Sequence, residues 1–144
     1  MLEGISHATF VVGDLERMAR FLCDGLGARE VYDSLATGDF SLSREKFFEL
    51  GGVWIAAMQG EPPATRSYQH LAFAVNEAYL PLYEDRLRAL GVEFRSPRQR
   101  VDGEGMSLYF YDFDNHLFEL HAGTLEQRLA SYGSGIAPAQ LAVE

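Results

Sequence analysis

The feature that most restricts how this chain can fold is an internal repeat. Ile5-Ser-His-Ala-Thr-Phe-Val-Val12 resembles Tyr68-Gln-His-Leu-Ala-Phe-Ala-Val75 and sets His7 against His70, an offset of 63 positions. Each segment is apolar and β-prone, and each leads into an amphipathic stretch, Leu15 to Leu26 in the first half and Glu77 to Leu90 in the second. Both stretches end in a Leu-Gly pair, Leu26-Gly27 and Leu90-Gly91, where glycine can supply a helix stop. Strand-like segments follow: Glu30 to Tyr32, Phe40 to Leu50 and Val53 to Met58, then Glu93-Phe94, Met106 to Tyr111 and His116 to His121. Turns are expected at Gly51-Gly52 and Asp114-Asn115. Each half therefore reads β-α-β-β-β.

Four strands and one helix of this length cannot bury both faces of a sheet, so such a unit is expected to pair with another. The fold class is α+β, two paired β-α-β-β-β modules forming a curved mixed sheet. Residues 1–132 form one domain, with module 1 at about 4–60, module 2 at about 67–123 and a helix over 124–132 capped by Thr124. The tail, 133–144, reads as loosely ordered.

Carrying the offset of 63 further sets Glu119 against Ala56. The two histidines occupy equivalent first strands, and Glu119 and Ala56 occupy equivalent last strands. A pseudo-two-fold pairing of the halves, or of two chains, would gather these four positions around one point. Two neutral imidazoles and a carboxylate suit a first-row divalent ion, and the alanine leaves its shell open to water or substrate, as a catalytic site requires. His121 shares the face of Glu119 by the period of two, making it a rival ligand or a partner to one. His116, beside the turn, is expected to be neither.

Composition narrows the partners. The net charge of −9 argues against nucleic acid, which wants a basic face. Positive charge is concentrated locally at Arg95, Arg98 and Arg100. No apolar run approaches the length of a membrane span, and no charged-then-apolar leader opens the chain. A single cysteine, Cys23, excludes an internal disulfide and fits a reducing compartment, so cytoplasmic residence is expected.

Three stretches carry a resemblance to a known family: Phe40-Ser-Leu-Ser-Arg-Glu-Lys-Phe-Phe48, Gly103-Glu-Gly-Met-Ser-Leu-Tyr-Phe-Tyr-Asp112, and Asn115-His-Leu-Phe-Glu-Leu-His-Ala-Gly-Thr-Leu125. They resemble the manganese-dependent fosfomycin-resistance epoxide hydrolases of the vicinal-oxygen-chelate superfamily, and the similarity runs from residue 1 to about residue 132. The resemblance implies a homodimer with modules swapped between chains, each site taking His7 from one subunit and His70 and Glu119 from the other. It implies fosfomycin, an epoxide bearing a phosphonate, as substrate and Mn2+ as cofactor. Glu45 would be the general base that activates water; without the resemblance it reads as part of a solvated cluster, Arg44-Glu45-Lys46.

Ser107, Tyr109 and Arg128 match positions that hold the phosphonate, with Arg100 and Tyr68 as additions. Thr9 shares the face of His7 and Trp54 that of Ala56, so both could line the pocket. Met106 and Gln69 depart from the arginine and asparagine of the family pattern. The offset of 63 sets Glu45 against Leu108, on the opposite face from Ser107 and Tyr109, which leaves a register conflict that a bulge could resolve.

Three other functions remain open: thiol transfer to the same epoxide, a dioxygenase or isomerase using ferrous iron on the same ligands, and antibiotic sequestration without chemistry.

Overall fold

The computed structural model describes residues 1–36, 43–98, 100 and 102–133. The part of the strand expected from Phe40 that precedes Ser43, and the tail beyond Gly133, lie outside the described residues. Two four-stranded mixed sheets are present, one from each half. The first has the order β1-β4-β3-β2, built from β1 (His7–Val12), β2 (Arg29–Asp33), β3 (Glu45–Leu50) and β4 (Val53–Gln59). The second repeats it as β5-β8-β7-β6, with β5 (His70–Ala74), β6 (Phe94–Arg95), β7 (Met106–Tyr111) and β8 (Leu117–Ala122). In both, the first strand lies parallel to the last, and a helix supplies the crossover that a parallel pair needs.

Helix α1 (Leu15–Arg20) starts where the Asp14 carboxylate accepts from the Arg17 amide, and it widens into a π-helical turn over Phe21–Gly25. Its counterpart begins as a 3-10 turn, Glu77–Tyr79, and continues as α2 (Leu80–Ala89). Helix α3 (Leu125–Gly133) opens with a reciprocal cap: the Gln127 amide donates to Thr124 Oγ1, and the Thr124 amide donates to Gln127 Oε1.

The helices and the inner sides of both sheets share one core. Phe10 of β1 stands 5.0 Å from Phe118 of β8, ring centre to ring centre, and Phe21 stands 5.2 Å from the same ring. Phe48, Ile55, Leu87 and Phe110 are fully buried in the same cluster. Because the inner faces of the sheets are joined through this core, their outer faces lie on its far sides. His7, Thr9 and Val11 alternate outward on β1, each exposed, while Ala8, Phe10 and Val12 turn inward.

The corner between the modules is polar. The Asp114 carboxylate, only 5% exposed, accepts from the Gly13 amide at 3.2 Å and from the Arg17 guanidinium at 3.1 Å. His116 is held by Asp112 at 2.6 Å and meets Phe10 edge-on.

The register conflict raised by the sequence is resolved without a bulge in β3 or β7. Glu45 stands opposite Met58, and Ser107 stands opposite His121. Met58 and His121 are equivalent at the offset of 63, so Glu45 is the counterpart of Ser107, at an offset of 62, and not of Leu108. The cause is the turn: Gly51-Gly52 joins β3 to β4 with two residues, both at positive φ, while Phe113-Asp114-Asn115 does the same work with three, its last residue at φ 70°. One extra turn residue shifts the numbering and leaves the faces intact.

Candidate metal centre

The outer face of the second sheet carries a buried polar cluster. Glu119, on β8, is 4% exposed and opposite Tyr109 of β7, with His70 of β5 one step along. Its Oε2 lies 3.0 Å from His70 Nε2, and its Oε1 accepts from the Ser107 hydroxyl at 2.5 Å. Burial alone would raise the Glu119 pKa. Hydrogen bonds from Ser107 and Tyr109, with the nearby His70 and His121, outweigh burial and hold it below the usual carboxylate value. Tyr109 is pushed up by burial, by its bond with Tyr68 and by the Glu119 charge, so its hydroxyl keeps its proton. His121 is pushed down, first by burial and then by Arg128, Arg100 and Arg98, against the pull of Glu119.

The His70 ring is oriented by its other nitrogen. Nδ1 lies 2.7 Å from the Tyr68 carbonyl oxygen, which can only accept, so Nδ1 carries a proton. In the neutral ring Nε2 then holds a lone pair, and that lone pair faces a carboxylate oxygen 3.0 Å away. Two acceptors converging on one point call for a cation between them. The donor set, imidazole nitrogen plus carboxylate oxygen with the imidazole fixed by a carbonyl, fits a divalent metal.

The outer face of the first sheet is the counterpart. His7 pairs with Trp54 across β1 and β4, and their rings are 4.3 Å apart. Thr9 pairs with Ala56, which is 5% exposed and occupies the place that Glu119 holds in the second sheet. Glu45 is half-buried at the start of β3, on the same face as His7, Thr9, Trp54 and Ala56. Its peptide is held on both sides by Ser34, whose Oγ accepts from the Glu45 amide at 3.0 Å and whose amide donates to the Glu45 carbonyl at 3.1 Å.

The chain by itself does not gather all four positions. No group of three or more histidine, cysteine or acidic side chains that could hold a metal exists among the described residues. His70 and Glu119 are together, whereas His7 and Glu45 lie on the outer face of the other sheet, across the shared core. Within one chain, the pairing of the two halves does not bring His7 to His70 and Glu119.

The remaining positions sort by geometry. Arg100 donates from Nη1 to the Gly105 carbonyl at 2.9 Å, while its buried Nη2 has no hydrogen-bond partner among the described residues and lies 3.8 Å from Glu119 Oε1. Tyr68 stands beside both His70 and Tyr109, with ring centres 5.0 and 6.3 Å away. Arg128 is engaged elsewhere: its Nε is 3.4 Å from Glu104 Oε1. Glu104, fully buried, also receives Arg98 and the Tyr132 hydroxyl. Met106 is opposite Ala122, on the alternate face from Ser107, and half exposed. An arginine in place of Met106 would therefore set its charge at the end of the strand on the alternate face and not on the face that carries Glu119.

Sequence reasoning missed three participants. Arg95 lies over the Tyr68 ring at 4.7 Å and is opposite Tyr109; it was noted only as charge. Glu104 gave its signal in the Gly-Glu-Gly turn but no partner. Lys46, expected at a solvated edge, is instead 3% exposed and paired with Glu16, Glu30 and Asp33 at 3.1, 2.7 and 3.0 Å. Three carboxylates around it hold its charge despite burial, raising its pKa.

Comparison with known proteins shows the family. The family model of the Glyoxalase/Bleomycin resistance protein/Dioxygenase superfamily matches residues 4–120. The fosfomycin resistance protein FosX of Mesorhizobium japonicum is 56% identical over 140 residues, covering 97% of this chain and 100% of that protein. A crystal structure of a FosX mutant from Listeria monocytogenes, complexed with Mn(II) and 1S,2S-dihydroxypropylphosphonic acid, superposes with a TM-score of 0.85 at 52% identity, covering 90% of this chain and 99% of that one. The metallothiol transferase FosB of Shouchella clausii is more distant, at 35% identity over 92% of this chain and 88% of its own. The chain belongs to the Glyoxalase/Bleomycin resistance protein/Dioxygenase superfamily and, within it, to the family of FosX fosfomycin resistance proteins.

Proposed function

We propose that this protein inactivates fosfomycin by adding water to its epoxide ring, with Mn2+ held by His70 and Glu119 of one chain and His7 of a second. The observation that carries the reading is the convergence of the His70 Nε2 lone pair and Glu119 Oε2 on one point of an outer sheet face. The FosX relatives support the substrate, and the diol bound with Mn(II) in the Listeria protein is what hydration of a propyl phosphonate epoxide yields.

A homodimer supplies the missing half. If the outer face of the first sheet in one chain covers the outer face of the second sheet in the other, two-fold symmetry makes two identical sites. Each site then has the His7, Ala56, Thr9, Trp54 and Glu45 face from one subunit. The His70, Glu119, Ser107 and Tyr109 face comes from the other. Apolar exposure supports this occupant: Val11, Trp54 and Tyr68 are 37%, 39% and 39% exposed on these faces.

When bound, the metal supplies Lewis acidity at the epoxide oxygen. Glu45 accepts a proton from water as the water oxygen forms its bond to a ring carbon. The C–O bond on that carbon breaks, and the ring oxygen takes up a proton to become the second hydroxyl. Arg100 Nη2, buried with no hydrogen-bond partner among the described residues, is suited to a phosphonate oxygen, and the Tyr68 hydroxyl lies on the same side. Arg128 is committed to Glu104 and acts on the anion at longer range.

No helix among the described residues is long and apolar enough to cross a membrane. A lone half-buried thiol, Cys23, fits a reducing compartment such as the cytoplasm. The test is phosphorus NMR of fosfomycin with manganese-loaded protein, with and without glutathione. Diol without thiol is the expected result. Product only with thiol would make the protein a transferase, and no product in either case would remove fosfomycin as substrate.

A further inference from the structure

Ser107 lies between Glu119 and His121, with its Oγ 2.5 Å from Glu119 Oε1 and 2.7 Å from His121 Nδ1. A hydroxyl has one proton, and a carboxylate oxygen can only accept. The Ser107 proton therefore goes to Glu119. The second bond then requires His121 Nδ1 to carry a proton and donate it to Ser107 Oγ. In the neutral ring the lone pair is left on Nε2, which lies against Gly123, where an added Cβ would come within 2.6 Å of it. Nothing larger than glycine leaves the ring this place. The chain of donors has one direction, from His121 through Ser107 to Glu119.

We infer that His121 is a positioning residue for the metal centre: through Ser107 it fixes the Glu119 carboxylate so that Oε2 faces His70. The inference rests on the reading of Glu119 as a metal ligand. With Oε1 occupied by Ser107, the carboxylate cannot rotate to offer both oxygens elsewhere, and Oε2 stays 3.0 Å from His70 Nε2. Partners of this kind raise metal affinity by pre-orienting the ligand. It also separates His121 from the ligand role its face suggested, since its Nδ1 is spent on Ser107 and its Nε2 lies beside Gly123. The Ser107 proton is committed as well, which leaves phosphonate binding to other donors. The first sheet has no such relay, for Glu45, Met58 and Ala56 stand at the equivalent places.

Two measurements test this. Nitrogen-15 NMR of histidine-labelled, metal-free protein at about pH 8, where imidazole is neutral, should find His121 protonated at Nδ1. Protonation at Nε2 would overturn the relay. Mn(II) titration, followed by the electron-paramagnetic signal of the free ion, should show affinity falling by about 10–100-fold in His121→Leu and in Ser107→Ala. The double variant should be no weaker than the weaker single variant. His121→Asn, whose amide N–H can stand where Nδ1–H stood, should recover most of the loss. Parental affinity in His121→Leu, additive losses in the double variant, or an Asn variant as weak as the Leu variant would each overturn the inference. A parent protein that binds no Mn(II) would overturn the ligand reading of Glu119, while the tautomer measurement decides the relay independently.

Discussion

The two sheets have one topology and opposite chemistry. On the second, the outer face gathers His70, Glu119, Ser107, Tyr109 and His121 into a hydrogen-bonded cluster that is mostly buried within its own chain. On the first, the same positions hold His7, Ala56, Glu45, Phe47 and Met58, and His7 is exposed beside Trp54. One face carries an imidazole and a carboxylate within 3.0 Å of each other; the other brings one imidazole, one carboxylate and apolar surface. The equivalent places of the two sheets thus carry different side chains, and on the proposed reading one face supplies metal ligands and the other the base.

The comparison breaks most sharply in a mixed dimer. His7→Ala and His70→Ala should each abolish hydration alone. Chains refolded together at equal amounts should regain about a quarter of parental activity, because half the dimers are mixed and each mixed dimer has one intact site. Failure to regain any activity would return both histidines to a single chain. Next in size is the division of labour. Glu45→Gln should lower kcat by about 10²–10⁴-fold, the usual worth of a general base, with Mn(II) affinity unchanged in a titration. A matching loss of metal affinity would place Glu45 among the ligands.

A smaller effect is expected at the rim of the second sheet. Arg100→Met should raise KM for fosfomycin by about 10–100-fold with a lesser change in kcat, as loss of a charge-assisted hydrogen bond of roughly 1.5–3 kcal/mol requires. An unchanged KM would remove Arg100 from the phosphonate site. Least is expected of Met106→Arg. Its half-exposed place on the alternate face predicts a KM change below about twofold, in line with the ±0.5 kcal/mol usual at exposed positions. A larger gain would mean that the strand turns at Met106.

Much of this was legible in the sequence because it is periodic. The His7 and His70 equivalence, the β-α-β-β-β order and the Glu119 and Ala56 equivalence follow from spacing alone, and spacing survives folding. Glu45 was misplaced because a fixed offset passes over the turns, where one inserted residue alters numbering without altering a face. Lys46 was misread, and the Glu104 contact of Arg128 was not foreseen, for another reason. Their partners, Glu16, Glu30, Asp33 and Glu104, come from other elements, and no local pattern announces a contact made in three dimensions. The resemblance proposed residues for the site, but the tautomer of His70 and the lack of a hydrogen-bond partner for Arg100 Nη2 among the described residues are properties of distances.

The three-residue turn of the second hairpin has a consequence for how the halves became inseparable. Its middle residue, Asp114, reaches the Gly13 amide and Arg17 of the first half, and the glycine pair at the corresponding turn has no side chain with which to return the grip. The clasp is therefore one-way. A tandem of two first halves would have the strands and helices but no clasp, whereas a tandem of two second halves would carry the aspartate but present Asn76 and Leu80 where Asp114 now finds Gly13 and Arg17. Neither symmetric tandem would join its halves as this chain does, so the order of the two modules is not interchangeable in this fold.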